Sequence, residues 1–272
     1  MFAALCIAAA GAQAHEFWIE PEAYQVDPGM PANAAFRVGE EFSGSSFSYI
    51  PGRSTRFDMV VGGAVRPVPA RMGDNPAFAV GDLPDGLLVI VHETGDAILT
   101  YAPKDGRTGW ERFVRFTEHK AMDGAIEAHR VRGLPEEGVR ERYRRFAKAL
   151  VAVGDGAGSD RAVGLRTEIV AEANPYTDDL SGGLPVRVLL DGAPRGDAQV
   201  ELFEKAPDGR VEITLHRTDA AGRAVLPVRP GHAYLADAVA LVPVDPAEAD
   251  DDAMWWSLWA ALTFAVPAVG GD

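Results

Sequence analysis

Short apolar runs, each closed by a Gly, Pro or Asp turn signal, recur along most of this 272-residue chain. That punctuation restricts the fold to sheets built from short strands. Residues 17–19, 34–38, 56–61, 87–92 and 97–101 read as strands, separated by Asp27-Pro28-Gly29, Gly62-Gly63, Pro84-Asp85-Gly86 and Gly95-Asp96. A second series, 167–171, 184–190, 199–204, 211–216, 224–228, 232–241 and 257–266, turns at Asp191-Gly192, Asp208-Gly209 and Ala221-Gly222. About seven strands in about 105 residues is the spacing of an immunoglobulin-like or transthyretin-like sandwich. The expected fold is therefore mainly β: two β-sandwich domains with a helical insertion between them.

The insertion is expected over about 111–153, where Val139, Tyr143, Phe146 and Leu150 fall at steps of four, three and four. Such steps put them on one helix face, with Arg140, Glu141, Arg144, Arg145 and Lys148 on the others. The stretch "GDGAGSD" within 154–163 reads as a linker, giving an N-terminal sandwich over 15–153 and a C-terminal one over 164–272.

The first fourteen residues, "MFAALCIAAAGAQA", carry no charge and end in an A-x-A pattern, so they read as a secretory signal cut between Ala14 and His15. The apolar run is too short to span a bilayer. The chain's one cysteine, Cys6, leaves with that segment, and the expected product is an exported, periplasmic protein that is not integral to the membrane. A formal charge of -14 and a pI near 4.9 argue against nucleic acid as a partner, because phosphate contacts need a basic surface.

No motif of covalent, phosphate-binding or dinucleotide chemistry is present, so no enzymatic activity is expected. The histidines are more informative. His119 and His129 lie ten residues apart, roughly 15 Å along one helix, too far to share a metal, and read as surface residues. His15 differs because cleavage after Ala14 makes it the first residue. Its α-amine, with a reference pKa of ~8, and its imidazole can then chelate one divalent transition metal. Nitrogen donors suit Ni, Co, Cu or Zn, and His92, Glu16 and Glu20 are the candidate additional ligands.

Several stretches together resemble one family. "AHEFWIEP" at the cleavage junction, "RERYRRFAKALVAVG", "TEIVAEANPY", "LPVRVLLDGAP" and "WWSLWAALTF" follow, in order, the pattern of the exported DUF4198 proteins, described as NikM-like or as periplasmic nickel/cobalt uptake proteins. The resemblance implies a two-part β protein tied to metal uptake rather than to a reaction, with a metal ion or complex as cargo and an envelope transporter or receptor as partner. Only His15 falls on an expected ligand position. Where relatives carry a histidine late in a strand, this chain has Ala240, and Trp256 stands where a Glu is usual. The rival expectation is a metal-free, Ig-like interaction module at the cell envelope.

Overall fold

The computed structural model describes residues 15–245 and 251–268; the expected signal segment lies outside them. Along the chain run β1 (Glu16–Pro21), β2 (Gln25–Val26), β3 (Ala32–Glu40), β4 (Ser43–Phe47), β5 (Ser54–Val61), β6 (Ala64–Pro67), β7 (Phe78–Val80), β8 (Gly86–Thr94) and β9 (Ala97–Thr100). Two helices follow, α1 (Gly109–His119) and α2 (Ala125–Val131), and then the long strand β10 (Arg140–Val153). The remainder is β11 (Thr167–Ala171), β12 (Leu184–Leu190), β13 (Ala193–Pro194), β14 (Gln199–Lys205), β15 (Val211–Arg217), β16 (Arg223–Leu226), β17 (Ala233–Pro243) and β18 (Trp255–Ala265). The protein is mainly β, as the turn punctuation requires.

These strands form three layers. A ten-stranded sheet, ordered β15-β14-β17-β18-β10-β8-β5-β6 with β2 and β9 also on β10, lies between two four-stranded sheets. On one face, Phe146, Leu258 and Tyr234 pack against Ile169, Val186 and Leu226 of β11, β12 and β16. On the other, Ile90, Ala147 and Leu235 pack against Trp18, Phe36 and Phe78 of β1, β3 and β7. Fully burying a leucine, isoleucine or phenylalanine among them is worth roughly 1.5–3 kcal/mol.

Two expectations are corrected here. Residues 140–153 are not helical. β10 pairs in parallel with β18 from Glu141↔Trp255 to Ala149↔Thr263, and antiparallel with β8 and β9 along its other edge. Its last eight residues are buried, with Phe146 and Leu150 on one face and Ala147, Ala149, Val151 and Val153 on the other. A strand covered on both faces loses its polar alternation, and its apolar residues then match a helical template by coincidence. The segment 154–163 is likewise a loop within one assembly, because the ten-stranded sheet takes strands from both sides of it.

Helix α1 is set by local chemistry. Thr108 accepts from the Glu111 amide at 3.2 Å, and Glu111 accepts from the Thr108 amide at 2.7 Å, a capping box in "TGWE". Gly109 allows the close start, since a Cβ there would meet the Tyr101 carbonyl oxygen at 1.9 Å. Phe113, Phe116 and Thr117 then face the sheet, and the C-terminal Lys120 emerges on that side, directed at β14 and β17.

Candidate functional site

The side chain of Lys120 is buried, and its Nζ donates to three carboxylates. They are Glu201 Oε2 of β14 at 2.8 Å, Asp237 Oδ2 of β17 at 3.0 Å and Glu16 Oε1 of β1 at 3.2 Å. Oxygens of the three acids lie within 4.8 Å of one another. Strand alternation explains the convergence: Asp237 sits on the β17 face opposite Ala236, Ala238 and Ala240, which belong to the other core. The aligned β14–β17 register sets Glu201 beside Asp237.

Three acids face two bases. Arg145, half-buried, feels both Glu16 and Asp237, and its Nη2 donates to the His15 carbonyl at 2.9 Å. The formal charge of the cluster is therefore −1 (three acids, two bases). Burial pushes the Asp237 carboxyl up to about 7; the Lys120 ammonium opposes that shift, and Glu16 and Glu201 add to it. Burial alone would lower the Lys120 pKa, but Asp237, Glu201 and Glu16 outweigh it and hold the ammonium above its ordinary range.

Glu16, Lys120 and Glu201 form part of the wall of a cavity of about 420 Å³. Trp259 of β18, stacked on Phe116 at 5.8 Å, lies under Lys120, whose Nζ is 5.0 Å from the indole centroid. Behind Trp259 is a second polar group. Its Nε1 donates to Ser257 Oγ at 2.9 Å, Ser257 donates to Glu141 Oε1, and the cavity-lining Tyr101 donates to Glu141 Oε2 at 2.7 Å. Burial raises the Glu141 carboxyl to about 7 against those two donated bonds.

The structure separates the residues expected to act together. His15 Nδ1 lies 3.0 Å from Glu40, a residue lining this cavity, and Glu16 contributes directly to the cluster. His92 does not join them. It is enclosed by Phe17, Phe36 and Phe57, with Nε2 2.8 Å from Ser54 Oγ, and burial pulls its pKa down to about 3. Glu20 is held by Arg37 at 2.6 Å and Lys205 at 3.0 Å. His119 is exposed as expected, but its Nε2 is 3.6 Å from Glu201. His129 is not a surface residue: it is fully buried, accepting from Trp255 Nε1 at 3.0 Å.

Glu201, Asp237 and Lys120 were not singled out from sequence. A signal existed: an acid inside an apolar strand, as in "VELF" and "LADAVALV", is costly to bury without a partner. Ala240 faces away from the cluster, so a histidine there would enter the opposite core.

Comparison with known proteins adds a family. A model described as "Domain of unknown function (DUF4198)" matches residues 12–241. No curated protein matches the sequence. Among solved structures, the chain is similar to a tetra-tandem repeat in the extending region of a large adhesion protein, at 10% identity over 92% of this chain and 49% of that one, with a TM-score of 0.20. It is also similar to a mutant Salmonella alpha-2-macroglobulin, at 11% identity over 95% of this chain and 15% of that one, with a TM-score of 0.24. The chain spans about half the length of the first and 15% of the second, and neither likeness bears on its function. Among the described residues, no helix is long and apolar enough to cross a membrane.

Proposed function

Since the chain belongs to the DUF4198 family, a domain of unknown function, we propose from the site itself that it is a non-catalytic, exported protein that holds a divalent transition-metal ion at the Lys120 cavity for buffering or delivery. One observation carries this reading: carboxylates from β1, β14 and β17 surround a single ammonium, which takes the place of a bound cation. A divalent ion replacing Lys120 would bring the formal charge from −1 to zero. Carboxylate oxygens alone suit hard ions, but the imidazole of His119, which lines the same cavity beside Glu201, favours Ni, Co, Cu or Zn, and His15 stands next to the cavity-lining Glu40. The ligands of this reading are Glu16, Glu201 and Asp237, with His15 and His119 as nitrogen donors, and His92 has no part in it. The periplasm is the compartment, and an envelope transporter or receptor is the partner to which metal passes.

The test is calorimetric titration of Ni²⁺, Co²⁺, Cu²⁺, Zn²⁺, Mn²⁺ and Ca²⁺ into protein whose first residue is His15. Lys120→Met removes the competing ammonium and is expected to tighten transition-metal binding by about tenfold or more, equivalent to ~1.4 kcal/mol. Glu201→Gln is expected to weaken it. If neither the wild type nor Lys120→Met binds any of the ions, the cluster is a permanent ion pair and the metal-free interaction module is the better reading. One extra residue ahead of His15 blocks the terminal chelate; unchanged affinity there removes His15 from the ligand set and leaves the carboxylate site in place.

A further inference from the structure

The two ends of the ten-stranded sheet differ. At one end β6 is only four residues long, and Pro67 closes it. Prolines, lysines, bulges and shortness are how exposed edges avoid pairing with other strands. At the other end β15 has none of these. It is seven residues long, "VEITLHR", pairs with β14 in an unbroken register, and among the described strands has no hydrogen-bonded partner on its outer side. Ile213 and Leu215 are 44% and 61% exposed.

The direction of the free backbone groups is fixed. Thr218 N donates to Ala198 O at 3.0 Å, and Ala206 N donates to Arg210 O at 2.9 Å, so even-numbered residues face β14. By alternation, Val211, Ile213, Leu215 and Arg217 direct their N–H and C=O groups outward. The segment also reads as its own complement. Reversed about Thr214, it sets Glu212 against His216, Ile213 against Leu215, Val211 against Arg217, and Thr214 against itself. Odd residues then face odd ones, as hydrogen-bonded antiparallel pairs require. The four odd pairs would exchange about eight backbone bonds. Glu212 and His216 fall at non-hydrogen-bonded positions, where side chains approach most closely.

We propose that β15 is a self-association edge, pairing antiparallel with β15 of a second copy of this chain in the register centred on Thr214. Directly opposed residues point to the same sheet face. Ile213 and Leu215, which line the Lys120 cavity, therefore meet the partner's Leu215 and the partner's Ile213 there. Two cavities come to lie side by side on one continuous sheet. The pairing stands on the edge itself and does not depend on what the cavity holds.

The test is sedimentation velocity over about 1–200 µM, with cysteine cross-linking in full chain carrying Cys6→Ser, which leaves no native thiol. A concentration-dependent dimer is expected, lost in Ile213→Lys and in Glu212→Lys and regained in the double variant Glu212→Lys, His216→Glu. Thr214→Cys should cross-link to itself under mild oxidant, because opposed Cβ atoms lie ~4.5–5.5 Å apart. Ile213→Cys and Leu215→Cys should cross-link only when mixed. A monomer at every concentration, or equal cross-linking of all three variants alone, overturns the proposal.

Discussion

Two lysines are buried among the described residues, and their surroundings differ. Lys148 of β10 donates to Asp160 Oδ2 at 2.8 Å, Glu168 Oε1 at 3.0 Å and the Arg161 carbonyl at 3.2 Å, so its three protons are all used. Its acids are also tied to the backbone. Glu168 accepts from Val163 N and Leu165 N, and Asp160 accepts from Ala171 N at 2.9 Å. That cluster rivets the 154–163 loop onto the central sheet. Lys120 also uses its three protons, but none of its three carboxylates accepts a backbone N–H among the described residues. One arrangement fixes a loop; the other holds a cation beside a cavity. Burial of charge alone does not identify a binding site. What the counter-charges do besides neutralising it is more informative.

The largest expected effect tests this contrast directly. Lys148→Met leaves Asp160 and Glu168 held by backbone donors with no cation, and should cost about 3–5 kcal/mol in urea unfolding. Lys120→Met should cost less, because two of its acids, Glu16 and Glu201, border a cavity that water and ions can enter. Added Ni²⁺ or Zn²⁺ should restore the Lys120→Met midpoint and leave that of Lys148→Met unchanged. Equal losses with no metal rescue would erase the distinction.

The sequence made one part of this contrast easier to read than the other. Turn signals at Asp191-Gly192 and Asp208-Gly209 located β12, β14 and β15 closely, because hairpin turns are local chemistry, whereas the two-residue β13 carries no pattern of its own. β10 was misread because a strand buried on both faces shows no alternation, and its alanines and arginines suit a helix. Those arginines have partners in the fold: Arg142 and Arg144 lie over Trp256 at 5.3 and 5.5 Å. Of the three carboxylates only Glu16 is legible in the sequence, through its neighbour His15. Glu201 and Asp237 lie 81 and 117 residues from Lys120, a separation no local pattern encodes. His92 was given a ligand role by its residue type, whereas its three phenylalanine neighbours make it a neutral core residue.

His92 sharpens the comparison as a buried group with no counter-charge at all. Its folded pKa, about 3, lies below the unfolded 6.5, so the unfolded chain binds the extra proton between those values. The stability it allows is complete above pH ~6.5 and is lost as pH falls toward 3. Asp237 has the opposite slope. Its carboxyl is raised to about 7 from 3.8, so the folded state holds the extra proton and stability declines as pH rises through that window. His92→Phe should flatten the acid limb by ~1–3 kcal/mol, and Asp237→Asn should flatten the limb from pH 4 to 7. Urea midpoints from pH 4 to 8 check both. An unchanged acid limb in His92→Phe would assign the acid sensitivity to the carboxylate clusters instead.

The smallest expected effect on stability is also the most selective for function. His119 is 68% exposed, and its Nε2 stands 3.6 Å from the buried Glu201, a long contact that solvent reaches from the histidine side and that is worth about 0–1 kcal/mol. His119→Ala should therefore move the unfolding midpoint by less than ~0.5 kcal/mol. As a nitrogen donor to a metal in the Lys120 cavity, however, His119 should matter for Ni²⁺ and Zn²⁺ and not for Ca²⁺ or Mn²⁺, which are satisfied by oxygen. The expected signature is an affinity loss of about tenfold for the first pair alone, measured by the same titration. A uniform loss across all four ions would mean that the substitution acts through the charge on Glu201. No loss for any ion would leave the carboxylates as the whole donor set, moving the preferred cargo from transition metals toward harder cations.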